Sequence, residues 1–268
     1  MGDFMPELPE VEAFGKYLDK TSLDKIIESV EVKNPELLQN VDADALKEKL
    51  EGHKFKYTKR YGKYTFTALD NDLWLILHYG MTGRLKYFKN QDEAPSYDRL
   101  LITFEDESHL AFDDPRKFGR INLTSSIGNF VKEKKLGSDA TEIDLKTFKQ
   151  IFERKKGAIK SVLMDQHIIA GIGNIYSDEI LFQACIHPKV PADKLNNHQI
   201  EQIFKVMKDV LKTSVDKRIA GEELPDSFII PHRKKNGKCP NSDIKLKTIK
   251  VSSRTAYYCP QCQKEIFE

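Results

Sequence analysis

Three changes of pattern along the 268 residues predict an α+β fold. A proline-flanked helical stretch comes first, and residues 55–121 then read as short strands. From about residue 141 the apolar period becomes helical, ahead of a small basic tail that contains cysteines. The stretch ELPEVEAFGKYLDK, 7–20, puts Leu8, Val11, Phe14 and Leu18 on one helical face. Pro6 and Pro9 fall where a helix tolerates proline, because the first N–H groups have no internal partner.

The strand region is built from KYTFTAL, DLWLILHYG, DRLLITFED and SHLAFDD. These runs are rich in aromatic and branched residues and are separated by the turn signals DND and EDES, the pattern of an antiparallel sandwich or barrel. The helical region carries Leu145, Phe148, Ile151 and Phe152 in DLKTFKQIFERK, and Ile200, Ile203, Phe204, Met207, Val210 and Leu211 in HQIEQIFKVMKDVLKTS. Asn196 or Asn197 is placed to cap the latter. Between them, AIKSVLMDQHIIAGIGNIYSDEILFQACIHP reads as two helical stretches broken by AGIG.

Apolar residues make up 40% and charged residues 31%, with a mean hydropathy of −0.52. This is the composition of a soluble globular chain of one or two domains. The longest apolar run, LWLIL at 73–77, is far too short to span a bilayer. No basic stretch followed by an apolar one marks a secretory signal, so the expected compartment is the cytoplasm. Net charge is only +2. In residues 231–256, however, eight basic side chains face the single acid Asp243. Such a run serves as a solvated surface or, beside a metal-type motif, as a phosphate-facing patch.

That motif is Cys239-Pro-Asn-Ser242 followed by Cys259-Pro-Gln-Cys262. Paired CxxC knuckles close a tetrahedral zinc shell with four thiolates. Here Ser242 stands at the fourth position. Three thiolates completed by Asp243, His232 or water, and a hairpin that folds without metal, are both compatible with this pattern. Cys185, in ILFQACIHP, reads as a buried small residue. AGIGNIYSDE, 170–179, opens a helix whose first N–H groups are available to an anion. A glycine turn between helices is often no more than a turn.

Taken together, PELPEVE, RYGKY, HYGMTGRL, DDPRKFGR, IKSVLMDQHIIAGIGNIYSDEILF and SSRTAYYCPQCQ resemble the formamidopyrimidine-DNA glycosylases, in the expected order and across residues 5–268. These are bifunctional base-excision repair enzymes related to endonuclease VIII. The resemblance implies an N-terminal β-sandwich with a leading helix (1–135), a helix–two-turn–helix domain (136–228) and a C-terminal zinc-finger-like β-hairpin (229–268). It also implies a monomer acting on damaged double-stranded DNA, with one zinc ion held by Cys239, Cys259 and Cys262.

The resemblance gives Pro6 the role of nucleophile toward C1′ of a flipped nucleotide, through an iminium intermediate. A terminal amine titrates near ~7.7–8.0, against ~10.4 for lysine, and so is far more often neutral and nucleophilic. Glu7 becomes the general acid that helps open the sugar ring, although a first-turn acid also suits the helix dipole. Lys63 matches the catalytic lysine, and Arg254 matches the hairpin arginine that grips phosphates. Lys160 and Asn174 match phosphate or lesion contacts, and His78 and Tyr176 belong to the same DNA-binding set. Met81, Arg116 and Phe118 match the side chains that fill the space left by the flipped base. The plainer reading makes Met81 and Phe118 core residues of two strands; DDPRKFG argues against it, because it reads as a turn with its charges exposed.

The chain departs from the family pattern in three places. Met1-Gly2-Asp3-Phe4-Met5 precedes Pro6. While they remain attached, the proline nitrogen is an amide without a usable lone pair. The expectation is that translation starts at Met5 and the methionine is removed. The alternatives are a paralogue that binds damaged or abasic DNA without excision, and a lyase that uses a lysine. Second, Ser242 replaces a thiolate. Third, VDKRIAGEELPDSFIIPHR, 215–233, lacks the Thr/Ser-x-Arg-Asp segment found over an oxidised purine, which points toward formamidopyrimidine or abasic sites over 8-oxoguanine.

Overall fold

The computed structural model describes residues 5–153 and 155–264, so the stretch Met1–Phe4, on which the start-site expectation turns, lies outside the described residues. The chain forms two compact units. The first contains Glu10–Lys134, and the second contains Glu7–Pro9 together with the rest of the chain from Lys135.

In the first unit, helix α1 (Leu8–Ser22) leads into β1 (Ile27–Val32) and α2 (Ala43–Leu50). Strands β2 (Phe55–Tyr61), β3 (Tyr64–Leu69), β4 (Trp74–His78), β5 (Arg84–Phe88), β6 (Asp98–Phe104), β7 (His109–Asp113) and β8 (Arg120–Thr124) follow, and α3 (Ile127–Glu133) closes the unit. The strands form two antiparallel four-stranded sheets, β2-β3-β4-β8 and β1-β6-β7-β5. Both supply one core: Phe55, Leu69, Leu75 and Leu77 from the first sheet meet Ile27, Leu100, Ile102, Phe104 and Phe112 from the second, with Val11 and Leu18 of α1. The architecture is therefore the sandwich rather than the barrel. No run read from the sequence covers β1, β2, β5 or β8, although β2 and β5 fall inside the strand region 55–121, and helices α2 and α3 were not marked. IESVEV and RLKYF alternate with charges and are too short to stand out.

The second unit contains the short strand β9 (Ser138–Asp139), α4 (Leu145–Phe152), α5 (Ile159–Met164), β10 (Ile169–Ala170), α6 (Asn174–Gln183), α7 (Asn197–Ala220) and a hairpin of β11 (Lys247–Val251) and β12 (Arg254–Tyr258). Asn196 caps α7 in a capping box with Gln199, and Gly221 ends it at φ 71°, which are the start and stop signals a helix needs. The buried stripe Ile200, Ile203, Met207, Val210 and Leu211 packs with Phe148 and Phe152 of α4. Helix α6 is different, being buried on every side from Ile175 to Phe182. Its polar members Ser177, Asp178 and Glu179 therefore need partners inside the protein.

AGIG is not only a helix break. Ile169 and Ala170 pair in parallel with Ser138 and Asp139, and Gly171 turns at φ +115° against Leu8. A Cβ on Gly171 would lie 2.5 Å from Leu8 Cδ1. Gly171→Ala is expected to destabilise the protein by about 1–3 kcal/mol through strain and overlap, read as a lower urea midpoint.

Candidate active site and nucleic-acid interface

Helix α6 begins with N–H groups that no preceding turn can satisfy. The anion that takes them is the protein's own Glu7. Its Oε2 accepts from Gly173 N at 2.6 Å and Tyr176 N at 3.3 Å, and its Oε1 accepts from Ile175 N at 2.8 Å. Leu8 N donates to Gly171 O at 3.1 Å, fixing the same segment. Glu7 is fully buried, with the positive end of the α6 dipole directed at it. Pro6, directly before it, is also buried.

Behind this cradle lies a buried ionic hub. The Lys160 ammonium on α5 donates to Asn174 O at 2.9 Å, Ser177 Oγ at 2.7 Å and Asp178 Oδ1 at 2.6 Å. All three of its protons are placed. Burial lowers its affinity for a proton, against the pull of Asp178. Asp178 Oδ2 accepts from Arg233 Nε at 3.1 Å and Nη2 at 2.9 Å, and from the backbone N–H of Tyr257 at 2.9 Å. The Arg233 guanidinium also lies over the Tyr257 ring, 5.0 Å from its centre. Sequence reasoning singled out Lys160 but missed Asp178 and Arg233, because AGIGNIYSDE was read for its helix start and Arg233 as one charge of a basic run.

The hub holds the hairpin. Its two-residue turn, Ser252-Ser253, has φ of 45° and 64°, and Ser252 Oγ meets Ser161 Oγ at 2.7 Å. Arg254 follows as the first residue of β12 and is exposed. Asn174 Oδ1 is a buried acceptor without a hydrogen-bond partner among the described residues, whereas Tyr176 is buried within the helical core.

In the first unit, Lys63 lies in the turn between β2 and β3 and is only 8% exposed. His78, at the end of β4, pairs with Tyr64 on one side and Arg120 on the other. Burial, followed by the charges of Lys63 and Arg120, lowers its pKa to about 4, so the ring is neutral near pH 7. Its Nδ1 accepts from Gly80 N at 3.2 Å.

Two loops of the same unit are tied by Asp114. Thr82 Oγ1 donates to Asp114 Oδ1 at 2.6 Å, and Gly119 N donates to Oδ2 at 2.7 Å. Gly80, at φ +58°, touches the Phe118 backbone so closely that any Cβ there would overlap it. The pair presents Met81, Arg116 and Phe118. Phe118 is 46% exposed and carries the Arg116 guanidinium over its ring at 5.1 Å, so the strand-core reading fails for it. Met81 is half-buried.

At the tail, the sulfurs of Cys239, Cys259 and Cys262 lie within 4.8 Å of one another. The Cys239–Cys262 separation of 3.7 Å fits a tetrahedral ion bound by thiolates at about 2.3 Å, whose edge is about 3.8 Å. Burial and the two neighbouring thiols push Cys262 up to about 12, a set that a cation would relieve. The residues therefore fit a metal ion. Cys185 corrects the sequence reading. It is exposed at φ 56°, just past the end of α6, because the turn out of that helix points it away from the core.

A β-sandwich, a helical unit whose glycine turn cradles an N-terminal glutamate, and a cysteine-bearing hairpin with an arginine at its tip define a DNA glycosylase architecture. Residues 5–121 match the model of the formamidopyrimidine-DNA glycosylase N-terminal domain, and residues 136–223 match that of the formamidopyrimidine-DNA glycosylase H2TH domain. The chain is 33% identical to the formamidopyrimidine-DNA glycosylase of Mycoplasma mobile, covering 97% of this chain and 99% of that one. It is 34% identical to that of Enterococcus faecalis, with coverage of 97% and 98%. Among solved structures it is similar to wild-type Lactococcus lactis Fpg (MutM) in complex with DNA containing N7-benzyl-Fapy-dG, with a TM-score of 0.87, 28% identity and coverage of 97% and 100%. The chain belongs to the formamidopyrimidine-DNA glycosylase family.

Two substitutions test the helical unit. Asp178→Asn leaves two buried cations short of their counter-charge and is expected to lower stability by about 3–5 kcal/mol. Hydrogen exchange at the Tyr257 amide is expected to quicken with it. Glu179, buried on the same helix, accepts from Gln183 Nε2 at 2.9 Å and Ile230 N at 3.0 Å. Burial raises its pKa to about 7. The folded state therefore holds a proton that the unfolded state has released above about pH 4.5. Stability is expected to fall as pH rises from about 4.5 through 7, and Glu179→Gln is expected to flatten that part of a denaturation-midpoint profile.

Proposed function

We propose that this protein excises oxidised purines from double-stranded DNA and then cleaves the strand at the resulting abasic site. The observation that carries the reading is the Glu7 cradle, which fixes the residue after Pro6 by three backbone donors. Support also comes from the solved neighbours, which include Lactococcus lactis Fpg bound non-covalently to AP-site-containing DNA and MutM in complex with DNA containing carbocyclic 8-oxo-G.

The Pro6 nitrogen lone pair attacks C1′, and the C1′–base bond breaks with its electron pair leaving on the base, which takes up a proton. The Glu7 carboxylate takes the proton that the Pro6 nitrogen loses after bonding to C1′ and delivers it to O4′ as the ring C1′–O4′ bond opens, leaving an iminium between Pro6 and C1′. Loss of the C2′ proton expels the 3′ phosphate, and the δ step expels the 5′ phosphate. Lys63 and Arg254 contact phosphates, with Asn174 beside the lesion. Met81, Arg116 and Phe118 take the space of the extruded base. Lys160 enters as a positioning residue rather than as a phosphate contact or nucleophile, since its ammonium is buried and its three protons are engaged. This favours Pro6 over a lyase based on Lys160.

Cys239, Cys259 and Cys262 hold one zinc ion, which supplies structural cross-linking of the hairpin behind Arg254. Residues 1–135, 136–228 and 229–268 divide the work into catalysis, DNA grip and phosphate clamp. The protein acts as a monomer in the cytoplasm on chromosomal DNA. Ring-opened purines and abasic sites are preferred over 8-oxoguanine. Only residues 222–229 connect α7 and its cap to the turn at Ile230–His232, and Leu224 and Phe228 are buried among the helices.

The test is borohydride trapping on duplexes containing a formamidopyrimidine or an abasic site, with the adduct located by peptide mass. The full chain is run beside one that starts at Met5. An adduct on Pro6 in the shorter chain is expected, with Glu7→Gln lowering excision by about 10²–10⁴-fold while DNA affinity stays within a few-fold. Tight binding without any adduct would instead establish a non-catalytic binder, and an adduct on a lysine would overturn the Pro6 assignment.

A further inference from the structure

The cysteine cluster offers three sulfurs, and a tetrahedral ion needs a fourth donor. Two neighbours in the sequence are committed elsewhere. Asp243 is exposed and paired with Lys238 at 2.9 Å. His232 has its Nε2 against Asp226 O at 2.9 Å. Ser242 is placed differently, with its Oγ 3.5 Å from Cys259 Sγ. An oxygen at about 2.0–2.2 Å and a sulfur at about 2.3 Å from one tetrahedral centre lie about 3.5–3.7 Å apart. The 3.7 Å Cys239–Cys262 and 3.5 Å Ser242–Cys259 separations match the lengths of a sulfur–sulfur and a sulfur–oxygen edge of such a tetrahedron.

The backbone reinforces this placement. Ser242 N and Asp243 N both turn back to Cys239 O, at 3.4 and 2.9 Å. Cys262 N donates to Cys259 Sγ at 3.5 Å. Both tetrapeptides therefore turn back on their first residue, which brings the Ser242 hydroxyl to the edge of the three-sulfur cluster at Cys259. In the first knuckle the fourth side chain is a hydroxyl.

We propose that Ser242 Oγ is the fourth donor, giving a three-sulfur, one-oxygen metal site. This rests on the reading that the three cysteines hold zinc. A neutral hydroxyl is a weaker donor than a thiolate and is more easily displaced by water or a competing chelator. Such a site binds divalent zinc or cobalt less tightly, and releases it faster, than a four-thiolate site on the same hairpin.

The experiment loads the full chain with cobalt(II), under reducing conditions, as wild type, Ser242→Ala and Ser242→Cys. Cys185 is present in all three and cancels in the comparison. The expected wild-type spectrum is that of a tetrahedral ion with three-thiolate charge-transfer intensity, rising to four in Ser242→Cys. Ser242→Ala is expected to lose at least about tenfold in affinity against a competing chelator, and Ser242→Cys to gain at least as much. Wild type and Ser242→Ala with the same spectrum and affinity would overturn the role of Ser242 while leaving the three-cysteine site intact. No cobalt bound by wild type, with one ion bound by Ser242→Cys, would overturn the metal reading itself and the proposal with it.

Discussion

Asp178 has no exposed side-chain surface, and a carboxylate so placed is tolerated only when every lone pair is answered. The answer comes from three directions: a lysine on α5, an arginine after the turn that follows α7, and a backbone amide of β12. Each arrives from a different part of the second unit, so satisfying one charge fixes three elements. Helix α6 can be buried on all sides because its polar groups are spent inward in this way. The same helix start receives Glu7, and Lys160, which joins the Asp178 pair to the Asn174 carbonyl, lies behind it. The carboxylate of the proposed chemistry thus sits at one end of a network whose other end holds the hairpin.

A second carboxylate uses the same logic in the β-sandwich unit. Asp114 is fully buried and bridges two loops through Thr82 and Gly119. The loops carry Arg116 and Phe118 outward because the polar bond lies beneath them. Phe118 stays exposed for that reason, with no strand to turn it inward.

Much of this was legible in the residues. The strand runs, the α7 stripe and its capping asparagine, the helix start at AGIGN and the cysteine spacing are local signals, and each appears where local physics puts it. What was not legible depends on partners far apart in the chain. That AGIGN binds an acid could be read; that the acid is Glu7, more than 160 residues earlier, could not. Arg233 looked like one charge of a basic run until Asp178 lay beside it. Strands β1 and β5 alternate weakly with charge, and they owe their place to neighbouring strands. Cys185 was misread because an apolar context was taken for a buried one, whereas a left-handed turn decides where its side chain goes.

The hairpin turn has a consequence for how the molecule is assembled. Ser252 and Ser253 both stand in the left-handed region, a conformation that asparagine and glycine adopt far more readily. With only five residues in each strand, the hairpin lacks the means to form by itself. Its tip is held by Ser161 and its second strand by Asp178, groups that exist in place only after the helices have packed. The shape of the basic tail is therefore set by the helical surface on which it rests, and that surface positions the arginine it carries.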